Sequence, residues 1–238
     1  MCDAIVNKSL SKGVTALNKL KKLLPLYAVI PICLLIIFNI IAFSFTKLIT
    51  DGGFHYDVSL PIDFKIPFVP AFIVIYIGSF VQWIWGFRLI AVQSKDFCFR
   101  IISYEIVAKL ICLDIFLIMP TIMVRPEITG NGVFDWLTKL IYWFDTPTNL
   151  CPSLHCLEIY VIFRASFSIK KHRTALVIFN GVFALLVFAS VLFVKQHLFV
   201  DIPAAIIVSE LGFFIGKKVK SHRVFEKIDS VVFRKGRI

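Results

Sequence analysis

Two histidines and one aspartate are the residues of this chain best suited to chemistry at phosphorus. Residues 152–155 read Pro-Ser-Leu-His, and farther along the chain His197 is followed four positions later by Asp201. One imidazole can attack phosphorus, a second can protonate the leaving oxygen, and a carboxylate can orient the attacking ring. We therefore interpret His197 as a candidate nucleophile, Asp201 as its orienting group and His155 as a candidate general acid.

The local sequence around these residues favours that interpretation. Side chains four positions apart share one face of a helix, so Asp201 can accept a hydrogen bond from one ring nitrogen of His197 and leave the other free. Asp201 also lies in an apolar run, where an unpaired carboxylate is unfavourable. The Pro-Ser-Leu-His segment predicts a helix start, with Ser153 as its cap and with free backbone N–H groups that can hold a phosphate.

The composition indicates an integral membrane protein. Of the 238 residues, 58% are hydrophobic and 17% are charged, and the mean hydropathy is +0.85. A soluble domain of this size cannot bury so much apolar surface. The formal net charge is +11, but the basic residues cluster beside apolar runs and are not interleaved with aromatic residues on a polar domain. The charge therefore indicates membrane orientation and contact with anionic lipid, and we expect no nucleic-acid partner.

The hydropathy pattern predicts an all-α fold, an integral membrane bundle of six transmembrane helices with short interfacial helices. A span needs about 20 mostly apolar residues. The candidate spans are 23–45, 67–87, 101–124, 154–169, 175–194 and 198–215. We divide the chain into a basic amphipathic N-terminal segment (1–22), a six-helix catalytic domain (23–216) and a basic C-terminal tail (217–238), and both ends have apolar residues at helical spacing.

The charges beside the candidate spans predict the orientation in the membrane. Nineteen basic residues flank the spans on one side and five on the other. The positive-inside rule then places both termini in the cytoplasm, in a multi-pass protein that we assign to the plasma membrane. In this arrangement Arg125 at the end of the third span, His155 at the start of the fourth and His197 at the start of the sixth all lie on the outer face.

These residues resemble the type 2 phosphatidic acid phosphatase superfamily. Its three motifs run Lys-x6-Arg-Pro, Pro-Ser-Gly-His and Ser-Arg-x5-His-x3-Asp. The first is present here as Arg-Pro at 125–126, with Ile118 in the lysine position. The second is 152–155 with leucine for glycine, and the third is 190–201 with valine for arginine. The resemblance covers about residues 100–215 and implies a six-helix membrane fold.

The resemblance also implies roles for individual residues. His197 would form a phosphohistidine intermediate, Asp201 would orient it and His155 would be the general acid. Arg125 and the region of Ser153 would hold the phosphoryl oxygens. The family reaction uses no metal, and we predict neither a metal nor any other cofactor.

Two cationic phosphate ligands of the family pattern are absent, which matters because phosphoryl transfer relies on electrostatic stabilisation. Lys195, two residues before His197, is the candidate replacement, and the alternative is a lysine that extends its ammonium to the membrane interface. Pro-Ser-Leu-His without the third-motif arginine is more similar to the branch that contains inositol phosphorylceramide synthases. Those enzymes transfer a phosphorylated headgroup to an alcohol instead of to water.

Three functions remain open from the sequence. The first is a phosphatase acting on a lipid phosphate or diphosphate at the outer face, and the second is a phospholipid headgroup phosphotransferase. The third is a non-catalytic relative that binds phospholipid.

Charged residues inside the candidate spans predict a polar network between helices, including an ion pair between Glu105 and Lys109 and contributions from Asp114, Glu158 and Glu210.

Overall fold

The computed structural model describes residues 24–234, apart from the side chains of residues 42, 43, 233 and 234. It is 70% helix and 2% strand, which confirms the mostly helical architecture. Its helices are α1 Leu26–Thr50, α2 Ile73–Ala91, α3 Lys95–Ile118, α4 Val133–Phe144, α5 Leu154–Ser166, α6 Arg173–Phe193, α7 Asp201–Val219 and α8 Arg223–Arg234. A 3-10 turn, Pro70–Phe72, precedes α2, and strands β1 (Tyr56–Asp57) and β2 (Thr121–Ile122) pair in parallel. The predicted N-terminal amphipathic segment lies outside the described residues.

Within residues 24–234, three helical segments are long and apolar enough to cross a membrane. They are Leu26–Thr50, Pro70–Ala91 and Arg173–Phe193. The helix α5 has only 13 residues. At about 1.5 Å per residue it is shorter than a hydrocarbon core of about 30 Å. The helix α3 is long enough, but it carries charged residues along its length, among them Glu105, Lys109 and Asp114.

Two of the predicted helix boundaries that the structure contradicts affect the candidate site. The third span was expected at 101–124, but α3 ends at Ile118 because Pro120 cannot continue the helix. Arg125 therefore lies beyond β2 and does not end the helix. The last span was expected at 198–215, whereas α7 begins at Asp201 and continues to Val219. His197 consequently precedes this helix.

Close packing between α3 and α7 depends on glycine. A Cβ added at Gly212 would lie 2.6 Å from the Cβ of Ala108, and one at Gly216 would lie 2.5 Å from Cδ1 of Tyr104. Neither α3 atom has room to move away, because both residues are buried. The two glycines therefore let these helices approach closely, as small residues do between membrane helices.

The predicted polar network is present in the core. Lys109 Nζ lies 2.7 Å from Glu105 Oε1 and 2.6 Å from Glu158 Oε1, and Asn39 donates to Glu158 Oε1 over 2.7 Å. These contacts confirm the ion pair between Glu105 and Lys109 and connect α1, α3 and α5. Glu158 thus belongs to the network, whereas Asp114 is exposed.

Glu210 belongs to a separate contact between α5 and α7. Its Oε1 accepts hydrogen bonds from the hydroxyl of Tyr160 over 2.7 Å and from Nε of Arg164 over 3.0 Å. Arg164 and Glu210 are both substantially exposed, so the contact lies on the side of the bundle. It is thus distinct from the buried charges around Lys109.

One end of the bundle is basic. There the hydroxyl of Tyr27 in α1 donates to the carbonyl of Ala91 in α2 over 2.7 Å, and Ser221 donates to Ser103 in α3 over 2.9 Å. The helix α8 covers this end through buried Phe225, and it includes the apolar residues that recur at helical spacing near the C-terminus. The basic segments at this end are 88–100, 170–173 and 217–223.

Candidate active site

The opposite end of the bundle is closed by loops that Thr121 holds together. The side chain of Thr121 in β2 accepts hydrogen bonds from the backbone N–H groups of Leu150 over 2.8 Å and Cys151 over 3.1 Å. Its carbonyl accepts from the N–H of Asn149 over 2.7 Å. These bonds fix the segment that leads into α5, and with it the Pro-Ser-Leu-His residues.

His197 and Asp201 are in contact, as their spacing predicts. His197 Nδ1 lies 3.0 Å from Asp201 Oδ2 and 3.1 Å from the carbonyl oxygen of Leu150. Because both partners are acceptors, Nδ1 carries the proton and Nε2 is the nitrogen left for chemistry. The predicted shared helix face is wrong: His197 lies in the turn before α7, and Asp201 is the first residue of that helix. Asp201 Oδ2 also accepts from the N–H of Leu198 over 2.9 Å.

His155 lies beside His197, enclosed by aromatic rings. The centroids of the two imidazoles are 5.9 Å apart. On its other sides the His155 ring contacts Tyr76 at 4.5 Å, Trp83 at 5.2 Å and Phe80 at 5.6 Å between centroids. The structure therefore brings together the two histidines proposed as nucleophile and general acid, although they are separated in sequence.

A cavity of about 420 Å³ opens beside His197. Three of its lining side chains are candidate site residues, namely Arg125, Lys195 and His197, and two others are the acids Asp57 and Asp63. The remaining lining residues are Ser59, Phe64, Ile66, Phe68, Met123, Val124, Pro126, Leu192 and Leu198. The cavity therefore combines the proposed nucleophile with two cations and two carboxylates.

Arg125 is held in place by neutral acceptors. Its Nη1 donates to the carbonyl of Asp145 and its Nη2 to Oε1 of Gln196, each over 2.5 Å, and its guanidinium stacks 4.4 Å from the centre of the Tyr142 ring. Burial lowers the pKa of Arg125 and raises the pKa of the Asp145 carboxyl. Burial also raises the pKa of Tyr142 to about 12. Arg125 thus keeps its charge in a partly desolvated position.

Lys195 also contacts neutral acceptors. Its Nζ donates to the carbonyl oxygens of Asp63 over 2.8 Å and Ile66 over 2.7 Å, so it fixes the loop that precedes α2. Burial lowers the pKa of Lys195, and the charge of Asp63 opposes that shift. An ammonium has three donors, so one remains for a ligand in the cavity. The contacts are compatible with both the predicted phosphate ligand and a lysine that only anchors a loop.

Ser153 caps α5, as the sequence predicts. Its Oγ accepts from the N–H of Cys156 over 3.2 Å, and its own N–H donates to the carbonyl of Asp201 over 3.3 Å. The start of α5 is thereby connected to the start of α7. Ser153 is fully buried and does not line the cavity, so its side chain is not part of the candidate phosphate site.

Gln196 and Asp63 were not singled out by the sequence. Gln196 is fully buried and orients Arg125, and Asp63 accepts from the N–H groups of Phe199 over 2.7 Å and Leu60 over 2.8 Å. A polar Lys-Gln-His run at the end of an apolar helix was the available signal for Gln196.

The chain was compared with protein-family models, with curated proteins and with solved structures, and it matches none of them.

Proposed function

We propose that this chain is a membrane-embedded, metal-independent phosphatase that hydrolyses a phosphate or diphosphate monoester of a lipid through a phosphohistidine on His197. One observation carries the proposal. Two acceptors, Asp201 and the Leu150 carbonyl, hold Nδ1 of a histidine that lines a cavity containing two cations. This arrangement leaves Nε2 as a neutral nucleophile beside positive charge, as attack on a phosphate requires.

The reaction has two half-reactions in this site. In the first, His197 Nε2 forms a bond to phosphorus while the bond from phosphorus to the lipid oxygen breaks, and the imidazolium form of His155 gives a proton to that oxygen and becomes neutral. Asp201 stabilises the positive charge that develops on the His197 ring. In the second, His155 takes a proton from water as the water oxygen bonds to phosphorus and the bond from phosphorus to His197 Nε2 breaks, which releases inorganic phosphate and restores His197. The centroids of the two imidazoles are 5.9 Å apart, which places the proposed general acid beside the proposed nucleophile.

Two cations supply stabilisation for the phosphoryl oxygens, because Arg125 and Lys195 both line the cavity beside His197. Phosphoryl transfer depends mostly on positioning and on such charge, because the protein has little covalent chemistry to perform.

We further propose six spans in the plasma membrane, with both termini in the cytoplasm and the cavity on the outer face. The basic end of the bundle supports this orientation, because basic residues favour the cytoplasmic side. The helices α3, α5 and α7 would then cross within the bundle, where the ion pairs around Lys109 satisfy their buried charges.

The proposal is tested with purified protein, a chelator and short-chain phosphatidate labelled in its phosphate. We expect His197→Ala to abolish both phosphate release and an acid-labile phosphoprotein. The matched control is His55→Ala, because His55 lies at the same end of the bundle but does not line the cavity. Full activity of His197→Ala would overturn the histidine mechanism.

The same assay separates the alternatives. Transfer of a phosphorylated headgroup to an added alcohol, without phosphate release, would assign the phosphotransferase reaction. Binding of the lipid phosphate without phosphoprotein or product would assign the non-catalytic function.

A further inference from the structure

A second cavity, of about 440 Å³, lies on the side of the bundle between α1, α2 and α5. We call it the lateral groove. Its lining residues are Leu24, Ile32, Leu35, Ile36, Asn39, Phe80, Trp83, Ile84, Phe87, Arg88 and Glu158. Ile36 and Ile84 remain 52% and 75% exposed, so the groove opens on the outer surface of the helices. In a spanning protein that surface faces lipid tails.

The depth of the groove follows from the directions of α1 and α2. The hydrogen bond from the Tyr27 hydroxyl to the Ala91 carbonyl places the start of α1 beside the end of α2, at the basic end, so the two helices run in opposite directions. Arg88 therefore lies close to that end, and Phe80 lies about 12 Å deeper at about 1.5 Å per residue. The groove thus runs from the basic end toward the middle of the bundle.

Within residues 24–234, Arg88 is the only cation that lines the groove, and it has no ion pair or side-chain hydrogen bond to those residues. Two other arginines in that part of the chain have carboxylate partners: Arg100 pairs with Asp96, and Arg164 pairs with Glu210. The Glu158 carboxylate in the groove is already bound by Lys109. A half-buried guanidinium in an apolar groove thus lacks an anion.

A second donor in the groove also lacks an acceptor. Trp83 Nε1 is buried and has no hydrogen-bond partner in the described part of the chain, and the same is true of Arg88 Nε. Both groups are donors, and they are five residues apart on α2, or about 7.5 Å along its axis. A glycerophospholipid presents acceptors in this order, a phosphate at the surface and ester carbonyls below it.

We propose that the lateral groove binds an anionic phospholipid of the cytoplasmic leaflet, with its phosphate near Arg88 and one acyl chain along the groove. The apolar lining matches the chain, and the unpaired guanidinium matches the phosphate. This lipid is distinct from the proposed substrate, which binds at the other end. The assignment rests on the membrane orientation of the proposed function but not on its catalytic chemistry.

The lipid would act on the site through two shared aromatic side chains. Phe80 and Trp83 line the groove and also contact the ring of His155. An acyl chain packed against their outer surfaces restricts the positions they can adopt, and therefore the position of His155. The bound lipid thus restricts the position of His155, the proposed general acid, by packing on the outer surfaces of Phe80 and Trp83.

Binding is measured by fluorescence of Trp83 in a protein carrying the substitutions Trp85→Phe, Trp136→Phe and Trp143→Phe. The protein is placed in phosphatidylcholine nanodiscs that contain either brominated-chain phosphatidylserine or brominated-chain phosphatidylcholine. We expect phosphatidylserine to quench Trp83 at about one fifth of the mole fraction that phosphatidylcholine requires, the ratio expected from one basic residue at an anionic surface.

Variants at the groove test the role of the charge. Arg88→Gln should remove the preference and Arg88→Lys should keep it, whereas Arg173→Gln, at an exposed position of the same end, should leave it unchanged. Arg88→Met serves in place of Arg88→Gln if the glutamine variant does not fold. Equal quenching by the two lipids, or a preference that persists without the charge at position 88, would overturn the proposal.

Two further measurements distinguish a failure of the lipid site from a failure of the proposed function. If inorganic phosphate abolished the preference for phosphatidylserine, the site would bind phosphate rather than a lipid. Because quenching does not require turnover, a protein without phosphatase activity that retains the preference would refute the proposed function and leave the lipid site intact.

Discussion

Asp201→Asn isolates what the carboxylate contributes to the proposed nucleophile. Asp201 Oδ2 accepts from His197 Nδ1 over 3.0 Å and from the N–H of Leu198 over 2.9 Å. The amide oxygen of asparagine can keep both bonds, so we expect the fold to survive. What the substitution removes is the negative charge beside the imidazole.

The size of the effect follows from the contacts of Nδ1. Two unit charges about 4 Å apart interact by about 4 kcal/mol at an effective dielectric constant of about 20. The amide dipole retains part of this stabilisation, so the loss should be about 3–4 kcal/mol, or about 10²- to 10³-fold in kcat. Loss of the correct tautomer would cost about 10⁴-fold. The carbonyl of Leu150, 3.1 Å from Nδ1, should prevent that larger loss.

The assay is single-turnover formation of the phosphoprotein from labelled phosphatidate, followed by phosphate release. Asp201→Asn should slow formation of the intermediate without changing the melting temperature by more than a few degrees. A rate equal to that of the unsubstituted protein would refute the orienting role of Asp201. A 10⁴-fold loss in a folded protein would refute the claim that Leu150 fixes the tautomer.

Two other predictions concern the phosphate ligands and the orientation. Lys195→Met keeps an apolar stem and removes the charge. We expect kcat to fall by about 10²-fold, which is the scale of losing one strong contact to the transition state. A normal kcat with lowered stability would mean that Lys195 only holds the loop at Asp63. The orientation is tested with single cysteines in a protein without other cysteines. Asn131→Cys, at an exposed loop position near the cavity end, should react with an impermeant thiol reagent in intact cells. Thr174→Cys, at an exposed position of the basic end, should react only after permeabilisation. The reverse pattern would place the cavity in the cytoplasm. Asn149 is unsuitable for this test because it is buried and has a φ of 56°.

Short-range sequence patterns predicted the parts of the site that lie close together along the chain. The spacing of His197 and Asp201 predicted their contact, and the Pro-Ser-Leu-His segment predicted the cap by Ser153. The predicted helix face was wrong because hydropathy placed the start of the last span at Leu198, whereas α7 begins at Asp201 and the Leu198 N–H, in the turn before it, donates to the Asp201 carboxylate. Apolar residues alone do not show where a helix starts, because turns at a membrane surface are apolar as well.

Long-range contacts could not be predicted in this way. Arg125 bonds to Gln196, and Lys195 bonds to the loop at Asp63, although each pair is far apart in sequence. Nothing in the local pattern around Arg125 shows that a glutamine will orient it. The enclosure of His155 by Tyr76 on α2 likewise depends on how α2 packs against α5. These contacts arise from the packing of whole helices, which a single sequence does not display.

The contacts of the two cavity cations bear directly on how a phosphate could be stabilised. Arg125 and Lys195 are both fixed by neutral oxygens, from backbone carbonyls and the amide of Gln196, and not by carboxylates. Neutral acceptors hold a cation in position without cancelling its charge, so both groups remain attractive to an anion. The Asp63 carboxylate is itself bound by backbone N–H groups, which offset part of its charge. Positive charge is thus placed before the substrate arrives, and a site arranged in advance needs little reorganisation in the transition state. In the proposed reaction, these two fixed cations would take the place of the arginine and lysine that are missing from the motifs.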